Sequence, residues 1–365
     1  MTNEIKIPTA SFDLTSLSDT FYEYLPYSDY SVSDVAIRLG MTTSDFKKML
    51  SAKKSLSINQ IEIISNMLGV SSNLLQNIQT NFLNQQESQK NVKLAIQLFP
   101  YLKEICNFKV SSRNQLEKVK AVMSFFNSSD IGSNFTSLIN SLSENVAFRQ
   151  TKMGNSINPV SIAAMIKLSK DRFNNQHVNI GQFSEDTFYS NIDSLRQLAM
   201  DSDGINLEEK INDITKSFGV MVAFIKEAPN SRTAGFAYWL NGEHKQAIIC
   251  LTLRGKREDK MWFSLFHELS HLAIDSTQNF EGMHEIKSMQ SDREQSVDSF
   301  AKNLLIKSNV WDELTTNIDL TRKNIVTFCL DNSLNQTIII GRLQKEGYVD
   351  YRSMNDLMRS IHHEH

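Results

Sequence analysis

The residues with the most chemical potential sit close together in Met261–Asp275, MWFSLFHELSHLAID. His267, Glu268 and His271 form an HExxH motif there. On a helix, residues four apart share one face. Both imidazoles can then reach one cation, with Glu268 beside them as a general base. Trp262, Leu265, Phe266, Leu269 and Leu272 recur at helical spacing, which predicts a buried helix. Two imidazoles and a carboxylate are costly in so apolar a helix unless they serve something.

A catalytic Zn²⁺ takes three protein ligands and keeps one position open. The motif supplies two. Downstream candidates for the third are Asp275, Glu281, His284, Glu285, Asp292 and Glu294. Glu294 is the best placed. It opens a helix, Glu294–Ile306, whose Val297, Phe300, Ala301, Leu304 and Leu305 make an apolar face. Asp298 stands one turn further on, where a carboxylate can orient a ligand histidine from behind. His284 is the rival, as a ligand or as the donor to an oxyanion. Arg254 and Tyr238 are further candidates for that donor and for contact with substrate. Such a set suits amide hydrolysis, with the metal as Lewis acid and Glu268 carrying the proton.

A frame must position these groups. Leu207, Ile211 and Ile214 define one helix face, with Asn206 as the expected N-cap. Three β-rich runs follow, Val220–Lys226, Gly235–Leu240 and Gln246–Leu253, with Asn241-Gly242 as a hairpin signal between the last two. They predict a small antiparallel sheet leading into the HExxH helix. A sheet edge above a metal can pair with an extended substrate, and Tyr238, Trp239 and Arg254 are the groups expected to line that cleft.

A different texture precedes this. Residues 1–30 are aromatic and acidic, with one helix expected around Thr15–Tyr24. Then come a short helix Ser33–Leu39, a turn at Gly40-Met41-Thr42, and a second helix Thr43–Leu50. Ser57–Leu68 is a third, opened by Ser57 and Gln60 in capping-box spacing and closed by Gly69. Ser71–Leu83 continues as a fourth. Ala36 as the small contact residue, Gly40 in the turn, and Phe46 and Met49 as anchors follow helix-turn-helix logic. The outward face offers Thr43, Ser44, Lys47 and Lys48, with Lys53 and Lys54 just after, as candidates for contact with DNA. The same spacing also describes a plain helical bundle with a solvated face. Residues 84–205 read as mostly helical, with a polar connector at Asn84–Lys93 and no catalytic constellation.

The chain has 365 residues, 41% hydrophobic and 22% charged, with a formal net charge of −3. That is ordinary for a globular protein and gives no global basic field, so nucleic-acid binding needs a local patch. Cys106, Cys250 and Cys329 are far apart and form no ligand pair or disulfide framework, which fits a reducing cytoplasm. No stretch approaches a membrane span or a signal peptide. The final Ile361–His365, IHHEH, reads as a tail, with metal binding the weaker alternative.

The stretch Ala234–Asp275, AGFAYWLNGEHKQAIICLTLRGKREDKMWFSLFHELSHLAID, resembles the ImmA/IrrE metallo-endopeptidase family. The later DREQSVDSFAKNLLI is similar to that family's second helix, and IIIGRLQKEG to its closing helix. The resemblance implies Zn²⁺ on His267, His271 and Glu294, Glu268 as the catalytic glutamate, and Asp298 behind a ligand. Ser270 stands where the family commonly has glycine, and Lys307 where it commonly has proline. SVSDVAIRLGMTTSDFKKMLSAKKSLSINQIEIISNMLGV resembles the Cro/cI (XRE) helix-turn-helix. Together these segments are similar to HigA-type fused regulators.

The expected fold is α+β and mostly helical. It has a helix-turn-helix domain in residues 1–83, a helical linker or partner-binding region in 84–205, a zincin-like zinc metallopeptidase domain in 206–350, and a tail in 351–365. The expected function is a cytoplasmic DNA-binding regulator, working as a homodimer, whose zinc endopeptidase domain cuts a repressor or a toxin-system partner. The alternative is a non-catalytic antitoxin that binds operator DNA and a toxin.

Overall fold

A computed structural model of the chain describes residues 16–51, 54–109, 114–143, 146–148, 158–175, 180–240, 245–253, 255–277 and 290–361. The fold is α+β and mostly helical, with a small mixed sheet. Contacts divide it into two compact units, residues 1–139 and 140–365.

The first unit begins with α1 (Leu17–Tyr24), α2 (Val32–Arg38), α3 (Thr43–Ser51) and α4 (Ile58–Leu68). Capping boxes start three of these helices, on Ser16/Asp19, Ser31/Asp34 and Ser57/Gln60. After α2 the chain reverses through Gly40 at φ +68°. The amide of Gly40 bonds to Ile37 O, and that of Met41 to Ala36 O at 2.9 Å. This closes the helix and turns it into α3, and the left-handed position explains the glycine. Phe21, Val35, Ala36, Phe46, Leu50, Ile61 and Ile64 form the core. α5 (Ser72–Cys106) then runs unbroken across the boundary expected at residue 83. Its polar middle, read from sequence as a connector, stays helical because Asn91 is buried there. The Asn91 side chain donates to Ile131 O at 2.9 Å and Gly132 O at 3.2 Å, beyond α6 (Gln115–Phe125). α7 (Ser133–Ser143) follows.

The second unit is built on a four-stranded sheet in the order β1-β3-β4-β2. β1 is Val146–Phe148, β2 Val220–Phe224, β3 Gly235–Trp239 and β4 Ala247–Leu251. β3 pairs antiparallel with β4, as the hairpin signal predicts, although residues 241–244 of the turn lie outside the described residues. The expectation of an all-antiparallel sheet is corrected: β2 pairs parallel with β4. The physical reason is double-sided burial. All five residues of β2 and all five of β4 are buried, as in strands covered by helices on both faces. Val220, Val222, Phe224, Ala237, Ala247, Ile249 and Leu251 face one helical layer, and the alternate residues face the other way.

α8 (Pro159–Asn175) covers that second face, where Ser169 Oγ lies 2.8 Å from the hydroxyl of Tyr238. The first face carries α9 (Glu185–Asp201), α10 (Leu207–Thr215) and α11 (Glu258–Thr277). Trp262, Leu265, Phe266 and Leu269 of α11 are fully buried, each stabilising the fold by roughly 1.5–3 kcal/mol. Asn206 is not a side-chain cap for α10. It adopts a left-handed conformation at φ 51°, which asparagine tolerates. Its neighbour Asn212 instead seals the outer edge of β2, accepting from Val222 N at 2.9 Å and donating to Val222 O at 2.7 Å.

α12 (Gln290–Leu305), α13 (Ser308–Asn317), α14 (Arg322–Asp331) and α15 (Gln336–Glu346) complete the unit. Lys307 precedes α13 with φ −55°, the angle a proline would impose at that place. The expected domain limits at 205/206 and 350/351 are not followed. α9 packs into the same core as α11, and the chain past residue 350 is docked rather than a free tail. Ile361 is buried, its amide bonds to Lys256 O at 2.8 Å, and Arg359 Nε lies 3.1 Å from the buried Glu258 carboxylate. The last four residues lie outside the described ones.

Candidate metal centre

Three side chains from two helices converge. His267 and His271 lie one turn apart on α11, 1% and 3% exposed, and Glu294 reaches them from α12. Their Nε2 atoms stand 3.2 Å apart. Glu294 Oε2 is 3.6 Å from Nε2 of His267, and Oε1 is 3.5 Å from Nε2 of His271. This group could hold a metal ion. Four ligands in a tetrahedron about 2.0–2.1 Å from a cation have edges of about 3.3 Å, so the observed spacing fits.

The support behind the ligands is also present. Asp298, one turn after Glu294, brings Oδ1 to 2.8 Å from Nδ1 of His267. A carboxylate that close would favour the proton on Nδ1 and leave Nε2 with a lone pair for a cation. Ser270, inside the motif, is fully buried, and its hydroxyl donates to Phe266 O at 2.7 Å. That internal bond satisfies the group and explains why serine fits where the resembled family has glycine.

Glu268 is 2% exposed and lies against β3. Gly235 lies next to it: a Cβ there would sit at ordinary contact distance from Glu268 Cγ, 3.6 Å, and would crowd only Leu251 Cδ2 at 2.8 Å and Cys250 O at 3.0 Å on β4. Glu268, His267 and Asp298 line a cavity of about 570 Å³, a volume typical of ligand sites. The arrangement can bind a cation, hold a histidine tautomer, and place a carboxylate at the wall of a ligand-sized space.

The remaining site residues fall differently. Tyr238 does not join the centre. Its side chain points to the face opposite α11, where it is buried against α8, and burial pushes its phenol pKa up. The neighbour that does approach Glu268 is Gly235, whose signal in the sequence was a glycine opening a strand. The edge of β3 is not free, because β1 pairs along it from Val146↔Tyr238 to Phe148↔Phe236. Trp239 packs on Phe183, ring centroids 5.4 Å apart, and not at the metal group. Arg254 and His284 lie outside the described residues, as do the rival ligands Glu281 and Glu285 and the side chains of Asp275 and Asp292.

In the first unit, Ser44, Lys47, Lys48 and Lys54 are exposed, and Lys53 lies outside the described residues. Thr43 is half-buried, with its hydroxyl 3.2 Å from Ser33 Oγ on α2. Asp45 sits among the lysines, 4.0 Å from Lys48, and across residues 1–83 acids outnumber bases. Among the described residues, no helix is long and apolar enough to cross a membrane. No family model, no curated protein and no solved structure matches the chain.

Proposed function

We propose that the second unit is a zinc-dependent endopeptidase of the HExxH kind. We further propose that the first unit is a helix-turn-helix head for operator DNA, as in the ImmA/IrrE-bearing regulators that the sequence resembles. The observation that carries the peptidase reading is the convergence of His267, His271 and Glu294 beside a cavity walled by Glu268. Two imidazoles and one carboxylate suit Zn²⁺. When bound, Zn²⁺ supplies Lewis-acid polarisation of a carbonyl and acidifies water. Glu268 takes a proton from the attacking water and delivers it to the amine nitrogen as the C–N bond breaks. Asp298 keeps His267 in the tautomer that faces the cation.

The head reading rests on the α2–Gly40–α3 turn and on the exposed Ser44, Lys47, Lys48 and Lys54. The protein then works in the cytoplasm as a homodimer, and its substrate is a repressor or toxin-system partner. A second reading is a regulator that binds operator and toxin without cutting, using the second unit as a docking surface. The near-complete burial of His267, Glu268 and His271 favours it.

The deciding experiment incubates the zinc-loaded protein with the products of neighbouring genes, wild type beside Glu268→Gln. The peptidase reading expects cleavage by wild type alone, with zinc retained in both. Equal cutting by both, or none by either with zinc bound, gives way to the second reading. For the head, Lys47→Ala with Lys48→Ala should weaken operator binding and reduce the salt slope by about two. Unchanged affinity and slope would remove α3 as the reader.

A further inference from the structure

The groove beside the metal group has a chemistry of its own. It follows one face of α11 from Glu268 back to Asp259, roughly 13 Å of helix. Met261, Phe263, Leu305 and Ile338 give it an apolar wall. Among the described residues its lining carries six lysines and arginines, Lys260 and Lys345 among them, against four carboxylates.

Two of these acids, Asp259 and Glu346, are already committed. Arg257 grips Asp259 with two bonds of 2.9 Å, and Asp259 rests on Gly341, where no side chain intervenes. Glu346 lies 3.0 Å from both Lys302 Nζ and Arg342 Nε. Arg342 is further fixed by stacking on Trp311 at 3.9 Å. Lys260 and Lys345 stand exposed at the groove, and neither is paired with a described carboxylate. The groove thus carries an excess of positive charge on a chain whose formal net charge is −3. A concave, low-dielectric wall focuses such a field.

We propose that this groove selects acidic peptides: a bulky apolar side chain packs on the apolar wall, and glutamate or aspartate residues beside it meet Lys260 and Lys345. This rests on the peptidase reading for the cutting step, but the selection itself is a binding property. The fixed ion pairs make the rim rigid, so an acidic side chain gains attraction without first breaking Arg257–Asp259 or Lys302–Glu346. A basic peptide meets like charge at the same places, which is repulsive discrimination.

The test uses the full chain carrying Glu268→Gln, so that no peptide is consumed. Two fluorescein-labelled octapeptides share a central leucine. One has two glutamates after it, the other two lysines. Anisotropy titration at low salt should show the acidic peptide binding at least about tenfold more tightly. Adding Lys260→Glu with Lys345→Glu, both exposed positions, should abolish or invert that preference. Equal binding, binding of neither peptide, or a preference that survives the double reversal would overturn the proposal.

The two ideas fail separately. Glu268-dependent cleavage without acidic preference would sink the groove proposal alone. Acidic preference without any Glu268-dependent cleavage would sink the peptidase reading alone.

Discussion

Asp298 offers the sharpest test of how the metal group is built. It touches no cation position itself, yet its Oδ1 lies 2.8 Å from Nδ1 of His267, whose ring is 1% exposed. Asp298→Ala removes the acceptor. His267 then divides between tautomers, and the one with its proton on Nε2 cannot bind a cation. Loss of such a partner costs roughly 10–100-fold in metal affinity, which is about 1.4–2.7 kcal/mol. Asp298→Asn keeps an acceptor oxygen but loses the charge, so its loss should fall near the lower bound. The assay is zinc competition against a chromophoric chelator at fixed pH, with far-ultraviolet circular dichroism as the check on folding. The order wild type, Asp298→Asn, Asp298→Ala in falling affinity is expected. Both variants folded and binding zinc as wild type does would refute the role assigned to Asp298.

Two further perturbations probe the frame. In Gly341→Ala, the new Cβ would overlap the Asp259 carboxylate and lie 2.6 Å from its Cγ, while Arg257 prevents that carboxylate from swinging away. Denaturant unfolding should show a loss of about 1–3 kcal/mol. Adding Asp259→Ala should restore part of it, and strictly additive losses would contradict the close approach. In the first unit, the Ser31 hydroxyl and then its amide hold the Asp34 carboxyl below its ordinary value of 3.8. A depressed carboxylate contributes stability that is fully present above its unfolded pKa and is lost as pH falls through the folded one. Wild type should therefore lose more stability than Asp34→Asn on going below about pH 4. Parallel pH curves would show that the charge on Asp34 contributes nothing to stability.

What the sequence revealed was mostly local. α4 is framed by Ser57, Gln60 and Gly69, and α11 by its apolar stripe, so both could be read from spacing. Glu294 and Asp298 were legible for the same reason: two carboxylates one turn apart on an amphipathic helix can serve one histidine pair. What escaped depends on distant partners. β1 has three residues and no periodic signal, and it exists as a strand by pairing with β3 some ninety positions away. The parallel pairing of β2 had a signal in the unalternating VMVAF and AIICL, but nothing nearby said that α8 would cover their second face. Tyr238 was assigned to the wrong side because one residue of register decides which face of a strand a side chain takes. Arg359 and Ile361 look like a tail until Glu258, far earlier in the chain, receives them.

The proposed peptidase stands or falls first on whether His267, His271 and Glu294 hold a zinc ion. Its most direct measurement is zinc per chain by plasma emission on wild type, His271→Ala, Glu294→Ala and Glu268→Gln, purified identically and checked for folding. About one zinc is expected in wild type and Glu268→Gln, and little in the two ligand variants. Folded ligand variants that retain wild-type zinc would contradict it.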